Sequence, residues 1–409
     1  MKLRKILALV LTVVLCFGMV SVLASCGGTE EDVMVIGVSG PLTGDYSMYG
    51  KAVENAANLA IEEINAIEEK GGEGTLGFKF ELVATDDEAD YTKVQNNYTN
   101  MVSKGMLLSL GTVTTGAGMT YTSLAAKDNM FFLTPSATGD DIPGTAGNGF
   151  QMCFADSQQG VLAAEYLLKN YSDKKIGVYY KQGDAYSEGI YEQFMGKLRK
   201  ENAQIADAVV VAPFTKDDAS QAAHVSKLAG CEFIFMPIYY SDAAPFMVEA
   251  NKGTQIPANA VFYGGDGFDG ITSIPNFDIN SIKQEITYLT HFTVNAAEGT
   301  PAYEFIKKYE AKYDETKEPV NQFGAAAYDC VYAIYAALKF AKANGAEIST
   351  DMDASDLCNI LKGVLVNDEF EFRGITGEAD GEDGRASISW EANGQVTKTP
   401  KQEIVKKAS

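Results

Sequence analysis

The sequence predicts an α/β fold of two doubly wound parallel-sheet lobes, and three observations point there. Short apolar runs alternate with amphipathic helical patterns almost without pause from residue 33 to residue 265. Strands alternating with helices need crossover connections, which yield parallel sheets covered on both faces. The alternation comes in two stretches joined near "FADSQQG" (154–160), and the 409 residues exceed what one core supports, roughly 250–300.

Element by element, "VMVIGV" (33–38) is an apolar run closed by a Gly/Pro turn. Over 48–67 the residues Val53, Ala57, Ala60, Ile64 and Ile67 keep the three-to-four spacing of a helix. "FKFELVATD" (78–86) alternates as a strand. A polar helix over 90–103, the strand 107–111, a helix near 117–127 and the strand 130–134 complete the first stretch. The second reads as helix 158–169, strand 175–180, helix 187–201, strand 207–213, helix 217–228, strand 233–237, helix 242–251 and strand 260–265. Beyond it, 288–294 reads as a returning strand, followed by helices over 301–313, 323–343 and 354–363. Near the end, Asn393-Gly394 between alternating segments signals a two-residue hairpin.

The N-terminus has the order of an export signal. Lys2, Arg4 and Lys5 precede an uncharged run over 6–24, and then come Ser25, Cys26 and an acidic flank. "Leu23-Ala24-Ser25-Cys26" resembles the bacterial lipobox, in which the cysteine following the cleavage point carries lipid. The alternative is a retained membrane anchor, although a stop-transfer helix usually carries basic residues on its far flank. Either reading puts the body of the chain outside the cytoplasm. The full sequence's net charge of −22 repels phosphate backbones and argues against nucleic acid as a partner.

The composition also excludes several chemistries. Cys153, Cys231, Cys330 and Cys358 are widely spaced and the only histidines are His224 and His291, so no metal site is expected. The four thiols read as buried and free, with a disulfide permitted by the compartment. No nucleophile-and-base pattern occurs, and neither catalytic residues nor a cofactor are expected. Gly265-x-Gly267-x-x-Gly270 has dinucleotide-loop spacing but opens no helix, so it reads as a glycine-rich loop.

Three segments end strands in polar residues. Asp266 follows the strand 260–265 at its carboxyl end, where ligands bind in open sheets, or is a solvated turn residue. "GTVTTGAGMT" (111–120) leads into a helix near Gly116, whose free N–H groups suit a carboxylate, with Thr114 and Thr115 adding hydroxyls. Simple threonine N-capping is the alternative. "LTPSATGDD" (133–141) brings Ser136 and Thr138 beside it, because neighbouring parallel strands end side by side.

Together "GPLTGDYSMYG", "DDEAD", "GTVTTGAGMT", "LTPSAT", "YKQGDAYSEG", "IYYSD", "FYGGDGFDG" and "NQFGAAAYDCVYA" resemble, in order, segments of the branched-chain amino acid binding proteins of bacterial ABC importers. That resemblance implies the type I periplasmic binding protein fold, its two lobes joined by three crossover segments near 155, 290 and 380. The units would be a signal peptide 1–25, a tether 26–32, lobe 1 over 33–155 and 290–380, and lobe 2 over 156–289 and 381–409. The resemblance gives Thr115 the ligand carboxylate, the segment Ser136-Ala137-Thr138 the α-amino and α-carboxyl groups, and Asp266 the α-ammonium. Tyr49, Tyr186, Tyr239 and Phe323 match aromatic wall positions. Two departures stand out: Asp266 replaces a longer glutamate, and the "GDYSMYG" turn is longer than usual and adds Tyr46 beside the side-chain pocket as a further ligand-binding candidate.

The implied protein is a monomeric receptor for an aliphatic amino acid, lipid-anchored through Cys26 on the outer face of a Gram-positive cell membrane, with permease subunits as partners. An aromatic amino acid, a small amide or carboxylic acid, or a sensor role are the alternatives.

Overall fold

The computed structural model describes residues 32–72, 74–218, 220–314 and 318–408. The signal segment 1–25 and Cys26 lie outside them. Among the described residues no helix is long and apolar enough to cross a membrane.

The first stretch supplies β1 (Val33–Gly40), α1 (Ser47–Lys70), β2 (Lys79–Asp86), α2 (Val94–Ser103), β3 (Met106–Thr112), α3 (Thr115–Asp128), β4 (Phe132–Thr134) and β5 (Gly149–Gln151). The second supplies α4 (Asp156–Asn170), β6 (Ile176–Lys181), α5 (Ala185–Glu201), α6 (Ala203–Ala208), β7 (Val210–Phe214), α7 (Ala222–Lys227), β8 (Phe233–Met236), α8 (Tyr240–Lys252), β9 (Val261–Gly264) and β10 (Glu285–Thr290). Then follow α9 (Pro301–Lys312), α10 (Gln322–Ala343), α11 (Ala354–Leu365), β11 (Phe372–Gly374), β12 (Ala386–Ile388) and β13 (Lys401–Lys406).

One sheet has the order β2-β1-β3-β4-β5, all parallel. The other runs β13-β10-β9-β8-β6-β7, parallel except for β13, which pairs antiparallel with β10. Without β13 the two orders are the same winding. Each reverses direction beside its first strand, at β1/β3 and at β6/β8, and such reversals open a crevice at the strands' carboxyl ends.

The packing explains why the sequence patterns are legible. β1 and β8 are buried on both faces and read as continuous apolar runs. α10 lies on α1 closely enough that a Cβ on Gly324 would stand 2.9 Å from the Ala52 carbonyl oxygen. Asn321 starts α10 by accepting the Phe323 and Gly324 N–H groups at 3.1 and 3.0 Å.

Several expectations need correction. The strand expected over 207–213 begins only at Val210, because Asn202 caps the short helix α6 by accepting the Ile205 N–H at 3.2 Å. The returning strand occupies 285–290, not 288–294. The hairpin at Asn393-Gly394 has three loop residues, not two. Glu391 N–H donates to the Gln395 carbonyl at 2.8 Å, and Gly394 takes φ +83° in the left-handed region.

The third crossing, expected near 380, comes after Lys398. β12 pairs with β11, Trp390 Nε1 donates to the Gln151 carbonyl at 2.8 Å, and Gln151 N–H donates to the Gly394 carbonyl at 2.9 Å. This part of the tail therefore packs on the first sheet, and only β13 joins the second. Lys398 marks the passage: fully buried, it donates to the Met152 carbonyl at 2.8 Å and to the Thr376 hydroxyl. Thr376 in turn donates to Asp329, which also accepts the Ile375 and Thr376 N–H groups at 2.9 Å. Burial lowers the Lys398 ammonium to about 8, against the opposing pull of Asp329.

Candidate functional site

The carboxyl ends of the two sheets face each other, and residues from both sides line one narrow cavity. From the side of the first sheet come Tyr49, Val113, Thr115, Ser136, Thr138 and Phe323; from the side of the second come Tyr186, Tyr239 and Asp266.

On the first side, α3 begins at Thr115, one residue before the expected Gly116. Thr114 is its N-cap residue, in extended conformation, and its carbonyl accepts the Gly118 N–H at 2.9 Å. Its hydroxyl caps nothing, and Thr114 Oγ1 is buried without a partner among the described residues. The first N–H groups of α3 are therefore left without a side-chain cap, at the end of the helix that favours negative charge. Thr115 Oγ1 lies 3.4 Å from Thr138 Oγ1. The turn carrying Ser136 is held by Thr134, whose hydroxyl oxygen accepts the Ser136 and Ala137 N–H groups at 3.3 and 3.1 Å.

On the second side, Asp266 is 1 % exposed and so is not a solvated turn residue. Tyr186 Oη donates to Asp266 Oδ1 at 2.7 Å, and the Asp266 N–H donates to Gln159 Oε1 at 2.9 Å. Burial raises this carboxyl to about 7, while hydrogen bonds with Tyr186, Gln159 and the Gly267 backbone oppose the shift. None of those partners is cationic. Asp156, the first residue of α4, is a second buried acid close by. Burial raises it well above its ordinary value, a hydrogen bond from Thr138 opposes this, and the Asp266 charge adds to it.

Aromatic rings complete the wall. Tyr186 stacks on Tyr239 at 4.6 Å and 11°, and Tyr49 meets Phe323 edge-on at 4.7 Å. Tyr49 Oη crosses between the sides to donate to the Gly267 carbonyl at 2.5 Å.

Of the residues singled out from sequence, eight line the cavity: Tyr49, Thr115, Ser136, Thr138, Tyr186, Tyr239, Asp266 and Phe323. Thr114 and Ala137 stand behind it; the Ala137 carbonyl accepts from Gln151 Nε2 at 2.8 Å. Tyr46 lies outside the wall, its ring 4.7 Å from that of Tyr239. Val113, Gln159 and Asp156 were missed. Asp156 and Gln159 stand three apart at the start of α4, a spacing that puts both on one helix face but does not by itself tell a buried face from a solvated one. Cys26 lies outside the described residues.

A family model described as "Periplasmic binding protein" matches residues 34–387. The Leu/Ile/Val-binding protein BraC3 of Rhizobium johnstonii is 28% identical over 331 residues, covering 80% of this chain and 83% of that one. The crystal structure of a leucine binding protein from Thermotoga maritima superposes with a TM-score of 0.70 at 22% identity, over 92% of this chain and 96% of the other. A solute binding protein of an ABC transporter from R. palustris, in complex with 4-hydroxybenzoate, gives a TM-score of 0.73 at 14% identity, over 92% and 94%.

Proposed function

The chain belongs to the periplasmic binding protein family, and from that premise we propose that it is the extracellular receptor of an ABC importer for a small aliphatic amino acid. One observation carries this reading: Asp266, a buried carboxylate with no cationic partner among the described residues, shares a cavity with the uncapped N-terminus of α3 and the Thr115 hydroxyl. A dipolar molecule supplies what each side lacks. Its ammonium meets Asp266, and its carboxylate takes the α3 N–H groups and hydroxyls. The similarity to Leu/Ile/Val-binding proteins supports a branched side chain.

In this reading the ligand meets one lobe first and hinge closure brings the other onto it. Cys26 holds the monomeric receptor at the outer membrane face by lipid, and permease subunits take the ligand onward. A thermal-shift panel of amino acids, benzoate and small amides tests the reading. A ligand at 100 times its Kd should add about 2.7 kcal/mol. Stabilisation by leucine, isoleucine or valine is expected; stabilisation by benzoate alone would replace the amino acid with an aromatic acid.

A further inference from the structure

We infer that Tyr46 is a specificity-determining gate: it covers the outer side of the ligand cavity's tyrosine wall and is held shut by the Lys181–Asp242 ion pair of the opposite lobe. The ligand part of this inference rests on the amino-acid reading above; the closure part does not.

Tyr46 sits on the loop between β1 and α1, a loop fixed to its own lobe by Asp86. That carboxylate accepts the Leu42 N–H at 2.9 Å and the Thr43 hydroxyl at 2.6 Å. The loop thus presents Tyr46 from a firm base. Lys181 is the last residue of β6 and Asp242 lies in the first turn of α8, so their ion pair, 3.0 Å, belongs wholly to the second lobe. Their side chains are only 14 % and 19 % exposed.

Tyr46 Oη docks on this pair in both senses, accepting from Lys181 Nζ at 2.7 Å and donating to Asp242 Oδ2 at 2.9 Å. A phenol meets a lysine–aspartate pair this way; a phenyl ring does not. Burial and the Asp242 charge raise the phenol's pKa, so it stays a donor. Hydrogen bonds with charged partners are the stronger kind, and parting the lobes breaks both.

The ring has a second role. It packs on Tyr239 at 4.7 Å, and Tyr239 lines the cavity and stacks on Tyr186, which holds Asp266. Aromatic contacts therefore run from the cleft mouth to the acidic anchor. A ligand side chain that reaches past Tyr239 meets Tyr46, and admitting it requires breaking the contact with the ion pair. Gate and length limit are one residue.

The test uses Tyr46→Phe, Tyr46→Ala and Asp242→Asn. Stopped-flow binding of leucine should show the off-rate of Tyr46→Phe and Asp242→Asn rising on the order of tenfold, as for loss of a charged hydrogen bond, with the on-rate within about twofold. Tyr46→Ala should raise the affinity ratio of phenylalanine to leucine roughly tenfold, and Tyr46→Phe should raise it less, because the ring stays but no longer holds the ion pair. Unchanged off-rates and ratios overturn the gate.

A ligand-free readout separates this from the parent reading. Spin labels at Tyr91→Cys and Val248→Cys, exposed sites on the two lobes, report the interlobe distance, and the four described native thiols are buried. Tyr46→Phe should shift the distribution to longer distances; superimposable distributions overturn the gate. If no amino acid binds the wild type, the ligand reading falls and the distance measurement alone decides closure.

Discussion

Tyr186 Oη donates to Asp266 Oδ1 at 2.7 Å and accepts the Gly267 N–H at 2.8 Å, so one phenol fixes both the acid and the backbone beside it. The relationship explains glycines that mimic a dinucleotide loop in sequence. A Cβ on Gly265 would stand 2.8 Å from Tyr186 Oη, and one on Gly267 would stand 2.7 Å from it. Only Gly270, at φ +89°, is there for backbone conformation.

Gly267→Ala should therefore damage the site from outside the cavity. The new Cβ meets the Ile238 carbonyl oxygen at 2.9 Å as well as Tyr186, and a backbone carbonyl does not give way cheaply. A loss of about 1–3 kcal/mol of stability is expected, the usual range for overpacking. Denaturant titration checks it.

Asp266→Asn keeps the shape and removes the charge. Amino-acid affinity should fall by about 2–5 kcal/mol, the cost of breaking a desolvated charge pair. Stability of the unliganded protein at pH 8 should hold or rise, because an ionised buried carboxylate without a cation is costly. Calorimetry and thermal melts on the same sample separate the two effects.

Affinity should depend on pH with a definite sign. Burial raises Asp266 to about 7 in the unliganded protein. The stability this gives is full below the ordinary carboxylate value and is lost as pH rises through 7. An ammonium needs the ionised form, so binding releases a proton below about pH 7. Affinity should be level above that value and fall toward tenfold per pH unit beneath it, with Asp266→Asn flattening the curve. Titrations from pH 5 to 8 provide the check.

His291 gives an independent acid response. Its ring is 1 % exposed, both nitrogens lack partners among the described residues, and Phe154 packs edge-on at 5.4 Å. Burial, with the Lys398 charge second, holds its pKa well below 6.5. The unfolded chain takes up a proton near 6.5 and the folded one does not, so stability present above that pH drains away below it. His291→Phe should reduce the loss of stability between pH 7 and pH 5 while changing little at pH 8. Melting curves at the three pH values decide.

Sequence carried most of the fold because both sheets, β13 apart, are parallel and doubly covered, which leaves long helices and solid apolar strands in clear alternation. It failed where three-dimensional pairing overrides local pattern. β5 and β11 span only three residues each, 149–151 and 372–374, too few for a period. The tail's place on the first sheet depends on Trp390 and Gln151, 239 positions apart. At the site, strand-end position and family resemblance marked Thr115, Ser136, Thr138 and Asp266. Asp156 and Gln159 escaped because a buried helix start looks like an ordinary solvated one until its neighbours are known.

The most direct measurement is calorimetric titration with leucine beside its two halves, 4-methylpentanoic acid, which lacks the ammonium, and 3-methylbutylamine, which lacks the carboxylate. Leucine should bind and each half should bind weaker by at least about 2 kcal/mol, because each leaves one pole of the cavity unmatched. Equal affinity for leucine and 4-methylpentanoic acid would contradict the account, since Asp266 would then hold no ammonium.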